Sequence, residues 1–185
     1  MRNLNKATTN PETFLEEIIN SKKKENKKRL ERLKSDLIER FEIYTNKANN
    51  RTLHTLVEKW HYDKDCKMCD GYFLYHQYDN SDACISKLRG EIIENNNGEI
   101  TLTCPICGLR DATDLDHYIP RQLFPEFSIH PYNLIPICHK CNNKKSTHWC
   151  ESNKRTIFNA YYDRITNIPL FNVNVVIEKN CQGLF

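Results

Sequence analysis

The sequence predicts an α+β protein, with a mostly helical N-terminal region followed by a small cysteine-braced domain of short strands. Three observations carry this. Apolar residues recur at steps of three and four in the first half, short β-rich runs punctuated by Pro and Cys begin at Glu99, and cysteines of the second half fall into two equally spaced pairs. The composition shift puts a boundary near residue 95. The chain divides into a helical region over 1–95, which positions a substrate or partner, a core domain over 96–160, and a tail over 161–185 that packs on the core.

Asn10 before Pro11 reads as an N-cap and first helical residue, with Glu12 and Glu16 where the helix dipole favours negative charge. Leu30, Leu33, Leu37, Phe41 and Tyr44 then share one face of a long helix reaching about Asn46. Between Lys22 and Lys34 eight basic residues face two acids, which fits a solvated helix face or a surface that tracks phosphates. Asn49 to Arg51 break the pattern, and Leu53 to Trp60 fits a second, shorter helix before a turn-rich stretch from Asp63 to Gly71. Ser81 or Asp82 caps a further helix carrying Cys84, Ile85, Leu88, Ile92 and Ile93, which ends at Asn95 to Gly98. Beyond the boundary, Ile100 to Thr103, Asp114 to Ile119 and Leu134 to Ile137 are strand candidates. Lys154 to Ile165 fits a helix, and Phe171 to Glu178 alternates as a short strand does.

The whole chain narrows the class. A net charge of +3 and a pI near 8.3 exclude a nucleic-acid coat protein, so any nucleic-acid contact comes from local patches. The first twenty residues lack the apolar run of a secretory signal, and no stretch approaches a membrane span. The expectation is a soluble, cytoplasmic protein in a reducing compartment. Nine cysteines, an odd number, then argue for metal ligation and buried thiols over a disulfide framework.

Cys104 and Cys107 in C-P-I-C, and Cys138 and Cys141 in C-H-K-C, are two pairs with the same two-residue gap. That gap lets a tight turn aim both sulfurs at one ion, so the four read as a tetrahedral Zn²⁺ site. Four thiolates leave no position for water, which makes this zinc structural. His139, inside the second pair, is the alternative fourth ligand. Cys66 and Cys69 repeat the spacing, and His54, His61, His76 or Cys84 would complete a second site, the alternative being small buried thiols. Cys150 and Cys181 have no partner pattern.

Between the zinc pairs lie D-L-D-H-Y-I-P-R, F-P-E-F-S and N-L-I-P, and N-N-K-K-S follows the second cysteine of the last knuckle. Hydrolysis of a phosphodiester needs a base to activate water and a cation to stabilise the phosphate and the departing 3′ oxygen. Adjacent Asp116 and His117 offer a carboxylate and an imidazole for these tasks. The order of motifs resembles the HNH, or ββα-metal, endonucleases in their zinc-containing form, over about 45 of the 185 residues.

The resemblance implies a ββα-metal nuclease domain in which His117 is the general base and Asp116 binds a catalytic divalent ion. It also implies that Asn133 fixes the loop and orients His117, and that Asn142 is the second metal ligand at a position where histidine is frequent. An amide oxygen is a hard donor, so Mg²⁺ or Mn²⁺ is the expected ion. Asn143 and His148 are the substitutes should Asn142 cap the following helix instead. Activity is expected to fall as the pH drops through the His117 pKa, near 6.5 if unperturbed. Arg121, Lys144 and Lys145 are placed to reach phosphates flanking the cut, the lysines from the first turn of a helix.

The partner is nucleic acid, with DNA the first expectation. The same motifs with a helical N-terminal extension resemble nuclease subunits of bacterial anti-phage defence systems, often paired with an ATPase, for which the Leu30 to Tyr44 face is a candidate surface. The competing reading is a zinc-ribbon module that binds nucleic acid or protein without cutting.

Overall fold

The computed structural model describes residues 1–96 and 102–164. It is mixed helix and small sheet. α1 (Pro11–Ser21) starts where Pro11 predicts, and the Asn10 side chain accepts from the Thr13 N–H at 2.8 Å. α2 (Lys24–Asn49) is a separate helix, because Lys22 and Lys23 are extended and turn the chain back so that α2 packs on α1. The face read from the sequence is buried inside the chain: Leu30, Leu33, Leu37, Phe41 and Tyr44 all lie in the core. It is therefore not a partner surface, because α1 and the cysteine-bearing segment already cover it.

Much of the basic run is spent internally. Arg29 and Arg32 pair with Asp70 at 2.8 and 2.7 Å, Lys34 pairs with Glu16, and Lys22 donates to the Asn80 carbonyl and Ser81. These contacts favour a stapled helix face over a continuous phosphate track.

Leu53 to Trp60 is not a helix beyond one turn at Leu53–Thr55. Leu53 is buried, Leu56 and Trp60 lean on the core, and Arg40 takes the Val57 carbonyl as acceptor at 2.9 Å, a bond a helix would have used internally. The turn-rich stretch holds an unanticipated short helix, α3 (Asp70–Tyr75), capped by the Cys69 sulfur accepting from Tyr72 N–H. Gly71 is required where α3 crosses the preceding segment, since a β-carbon there would lie 1.8 Å from the His61 carbonyl oxygen.

α4 (Asp82–Glu94) buries Ile85, Leu88 and Ile92 as expected. Ser81 precedes it without a side-chain cap, because its hydroxyl donates to the Gln77 carbonyl. Of the first strand candidate, Ile100 and Thr101 lie outside the described residues, and Thr103 pairs singly with Asp111.

β1 (Asp114–His117) and β2 (Leu134–Ile137) form an antiparallel pair with Asp116 opposite Ile135 and His117 opposite Leu134. The chain then enters α5 (His139–Lys145), which packs on β1. β3 (Cys150–Glu151) and β4 (Lys154–Arg155) make a tight hairpin, with Ser152 and Asn153 both at positive φ. That hairpin replaces the first turn of the helix expected from Lys154. The segment stays irregular to Arg164 because Arg155 pairs with Asp163 at 2.7 Å and the Asn159 N–H donates to the same carboxylate. Ile165, the Phe171 to Glu178 strand candidate, Cys181 and most of the 161–185 tail lie outside the described residues.

One apolar cluster runs from Leu4 to Ala160 and joins residues from both sides of position 95. A buried ion pair crosses the same seam, Arg40 of α2 with Glu126 at 2.6 Å. No helix among the described residues is long and apolar enough to cross a membrane.

Candidate functional site

The four knuckle cysteines converge. Their sulfurs all lie within 4.8 Å of one another, and Cys107 and Cys138 approach to 3.9 Å. Tetrahedral zinc with bonds of about 2.3 Å sets its sulfurs about 3.8 Å apart, so the cluster is sized for that ion. Cys104 and Cys138 are buried and packed with Ile137, and Cys107 and Cys141 are half-buried. Backbone N–H groups, chiefly that of Leu109, hold the Cys107 thiol down at about 6, whereas burial pushes Cys141 up to about 12. His139 is not a fourth ligand. It is exposed, and its Nδ1 meets Asp114 Oδ2 at 3.0 Å.

Cys66 and Cys69 gather no third ligand among the described residues. Among the described residues, the cluster of Cys104, Cys107, Cys138 and Cys141 is the only such group of metal-ligating side chains.

The second assembly lies where β1 meets α5. Residues two apart on a strand share a face, so Asp114 and Asp116 both look toward α5. Asn142 and Lys145, one turn apart on that helix, meet them in register. Asn142 Nδ2 donates to Asp114 Oδ2 at 3.0 Å, and the Lys145 ammonium contacts Asp116 Oδ2 at 3.0 Å. Asp114 is a residue the sequence reading passed over; its i, i+2 relation to Asp116 in a predicted strand was the available signal. Burial raises the Asp116 pKa to about 6 despite the ammonium beside it.

His117 takes a different set of partners. Its Nε2 lies 2.9 Å from the Ser128 carbonyl oxygen, and its ring meets the Tyr78 ring edge-on at 4.7 Å. A carbonyl only accepts, so Nε2 carries the proton and Nδ1 is left as the basic nitrogen. Protein packed around the ring, with the charges of Arg121 and Lys145, lowers the His117 pKa to about 3. Uptake of a second proton by the ring therefore moves well below pH 6.5, which leaves His117 neutral at physiological pH.

Asn133 is fully buried and ties the loop between the strands to itself. Its Oδ1 accepts from the Ile119 N–H at 2.8 Å and from the Tyr44 hydroxyl at 3.2 Å. Its Nδ2 donates to the carbonyls of Ile119 at 3.0 Å and Phe127 at 3.1 Å. Phe127 precedes Ser128, whose carbonyl receives His117.

Asp116, His117, Arg121, Asn142 and Ser146 line one small cleft of about 180 Å³. Asn143 is turned away from it toward His139, at 3.0 Å, and His148 bonds the Lys145 carbonyl, so neither substitute ligand enters the cleft. Arg121 is held at its rim by Asp79 at 2.9 Å and by the face of Tyr75. Lys144 is exposed, whereas Lys145 is buried and turned inward. Both lysines lie in the last turn of α5, not its first, because the helix already begins at His139. They gain nothing from a helix N-terminus, and Lys145 is committed to Asp116.

Over 79 residues the chain is 32% identical to the Septu protein PtuB of Bacillus thuringiensis, covering 42% of this chain and 30% of that protein. The chain is similar to a Septu protein. It is also 45% identical over 40 residues to protein ea31 of Escherichia phage lambda, covering 21% of this chain and 14% of that protein. The matches thus span less than a third of these relatives' lengths. No family model matches the chain, and no solved structure matches it.

Proposed function

We propose that the chain is a metal-dependent endonuclease of the HNH class that hydrolyses phosphodiester bonds in DNA. The observation that carries this reading is the pairing, in one cleft, of a histidine whose Nε2 is fixed on a backbone carbonyl with the Asp116 carboxylate and the Asn142 amide. The run β1, β2, α5 then serves as the ββα-metal element, with the four cysteines holding a structural Zn²⁺ beneath it.

The donor set fits a hard divalent ion. Asp116 offers carboxylate oxygens, and Asn142, tied through its Nδ2 to Asp114, offers a carbonyl oxygen with no partner of its own among the described residues. Asp116 and Asn142 would hold Mg²⁺ or Mn²⁺ there. The bound ion supplies Lewis-acid stabilisation of charge on the phosphate and the departing 3′ oxygen.

The chain's own residues do the rest. His117 accepts a proton from the attacking water at Nδ1 while the Ser128 carbonyl keeps the ring from turning. Asn133 positions that carbonyl through Phe127. Arg121 at the cleft rim and Lys144 on the exposed side of α5 contact flanking phosphates without reading bases.

Similarity to the Septu protein PtuB supports a role in bacterial anti-phage defence. The chain's partner in that role is an ATPase, as the resemblance to defence nuclease subunits implies.

Incubation of the zinc-loaded protein with plasmid, single-stranded DNA and RNA in Mg²⁺, Mn²⁺ and chelator tests the activity. Cutting of DNA in either metal and none in chelator is expected. Binding of any of these without cutting in either metal would return the chain to the non-catalytic zinc-ribbon reading.

A further inference from the structure

Lys145 is the only lysine among the described residues that is buried, with 5% of its surface exposed. Its ammonium lies 3.0 and 3.2 Å from the two oxygens of Asp116 and donates to the His117 carbonyl at 2.7 Å. Two of its hydrogens go to Asp116 Oδ1 and the His117 carbonyl, and the second carboxylate oxygen lies in ion-pair contact. Burying this charge is costly unless every hydrogen is matched. A lysine whose task was solubility or phosphate contact would sit as Lys144 does, one residue earlier and exposed.

The ammonium therefore holds the carboxylate through which a divalent ion has to bind, and it engages both oxygens. We propose that Lys145 is a tethered counter-ion that competes with the divalent metal for Asp116 and, through the His117 carbonyl, keeps the base in place. It is a positioning residue, and the inference rests on Asp116 being a metal ligand. Metal entry takes at least one Asp116 oxygen from the ammonium, and the remaining positive charge repels the ion. Both effects weaken metal binding. The bond to the His117 backbone is independent of the metal, so removing Lys145 also loosens the base.

The two consequences have opposite signs, which separates this role from a merely structural one. Mn²⁺ binding to the zinc-loaded chain is measured at pH 8 by calorimetry and by paramagnetic resonance, for the wild type, Lys145→Met, Lys145→Arg and Asp116→Asn. Lys145→Met is expected to bind Mn²⁺ at least about tenfold more tightly, while its kcat on DNA falls about tenfold to a hundredfold. Lys145→Arg keeps the charge and stays within about threefold of the wild-type affinity. Asp116→Asn loses the binding. Lys145→Met affinity equal to or weaker than wild type, with Asp116→Asn still abolishing binding, overturns the inference and leaves the metal site standing. Wild-type Mn²⁺ affinity in Asp116→Asn overturns the metal site itself.

Should Lys145→Met fail to fold, as zinc content and circular dichroism would report, ¹⁵N resonances of the lysine ammonium groups give the answer on the native chain. The Lys145 signal, identified by its loss in Lys145→Arg, is expected to shift as Mg²⁺ saturates the site. A signal unmoved at saturation contradicts the competition.

Discussion

The cysteine cluster and the Asp116–His117 cleft meet at α5, which carries a residue of each, yet they are opposites in chemistry. Cys141 and Asn142 are adjacent in sequence and serve different sites. One assembly is four soft sulfurs within 4.8 Å of one another, a set that could fill the coordination sphere of a zinc ion. The other is an open cleft of hard oxygen donors and a basic nitrogen, with an ammonium on its carboxylate. The difference teaches that two side-chain sets of opposite chemistry can be carried by adjacent residues of one short helix.

The largest effect should come from breaking the holding side. Cys138→Ser is expected to lose zinc and lower the unfolding midpoint by more than about 10 °C, with DNA cutting lost as well. Zinc content and a thermal melt check it, and wild-type stability without the metal would show that the cluster does not hold the fold. Asn133→Ala removes a side chain with four buried hydrogen bonds, and about 2 to 4 kcal/mol of stability is expected to go with it. Urea unfolding reads this, and a loss below about 1 kcal/mol would mean that the loop is fixed by other contacts.

A third test reaches the seam between the helical region and the cleft. His130 packs between Phe41, Tyr44 and Phe127, and burial lowers its pKa to about 3. The unfolded chain then binds this proton more tightly than the folded one. The stabilising contribution is complete above about pH 6.5 and is lost as pH falls toward about 3, by roughly 2 kcal/mol between pH 7 and 5. Comparing urea midpoints with those of His130→Phe isolates this share; an identical pH slope in the variant would contradict it. The smallest effect belongs to Lys144. Its replacement by Ala should change stability by less than about 0.5 kcal/mol and weaken DNA binding only modestly, more at low salt than at high salt.

What could be read in the sequence follows the range of the interactions. The Asn10–Pro11 start, the buried face from Leu30 to Tyr44, and β2 at Leu134–Ile137 are set by neighbours within a turn or a strand, and they were legible. The two C-x-x-C knuckles were legible because their spacing encodes the ligand geometry locally. The break at Lys22 and the strap from Leu56 to Trp60 depend on contacts with distant segments, and the hairpin at Ser152–Asn153 is local but rests on two positive-φ residues that are not glycine; propensity misplaced all three. In the cleft, Asp116, His117 and Asn142 came from motif order. The Ser128 carbonyl, the Tyr78 ring and the inward turn of Lys145 came only from the folded chain, as each joins residues at least eleven positions apart.

The most direct measurement is DNA cleavage by His117→Ala beside the wild type, in Mg²⁺ and Mn²⁺, with zinc content and circular dichroism matched between the two. A rate lower by about 10² to 10⁴-fold, with zinc, fold and DNA binding retained, is the predicted result. An unchanged rate in the variant would contradict the assignment of His117 as the base and, with it, the separation of the reacting cleft from the holding cluster.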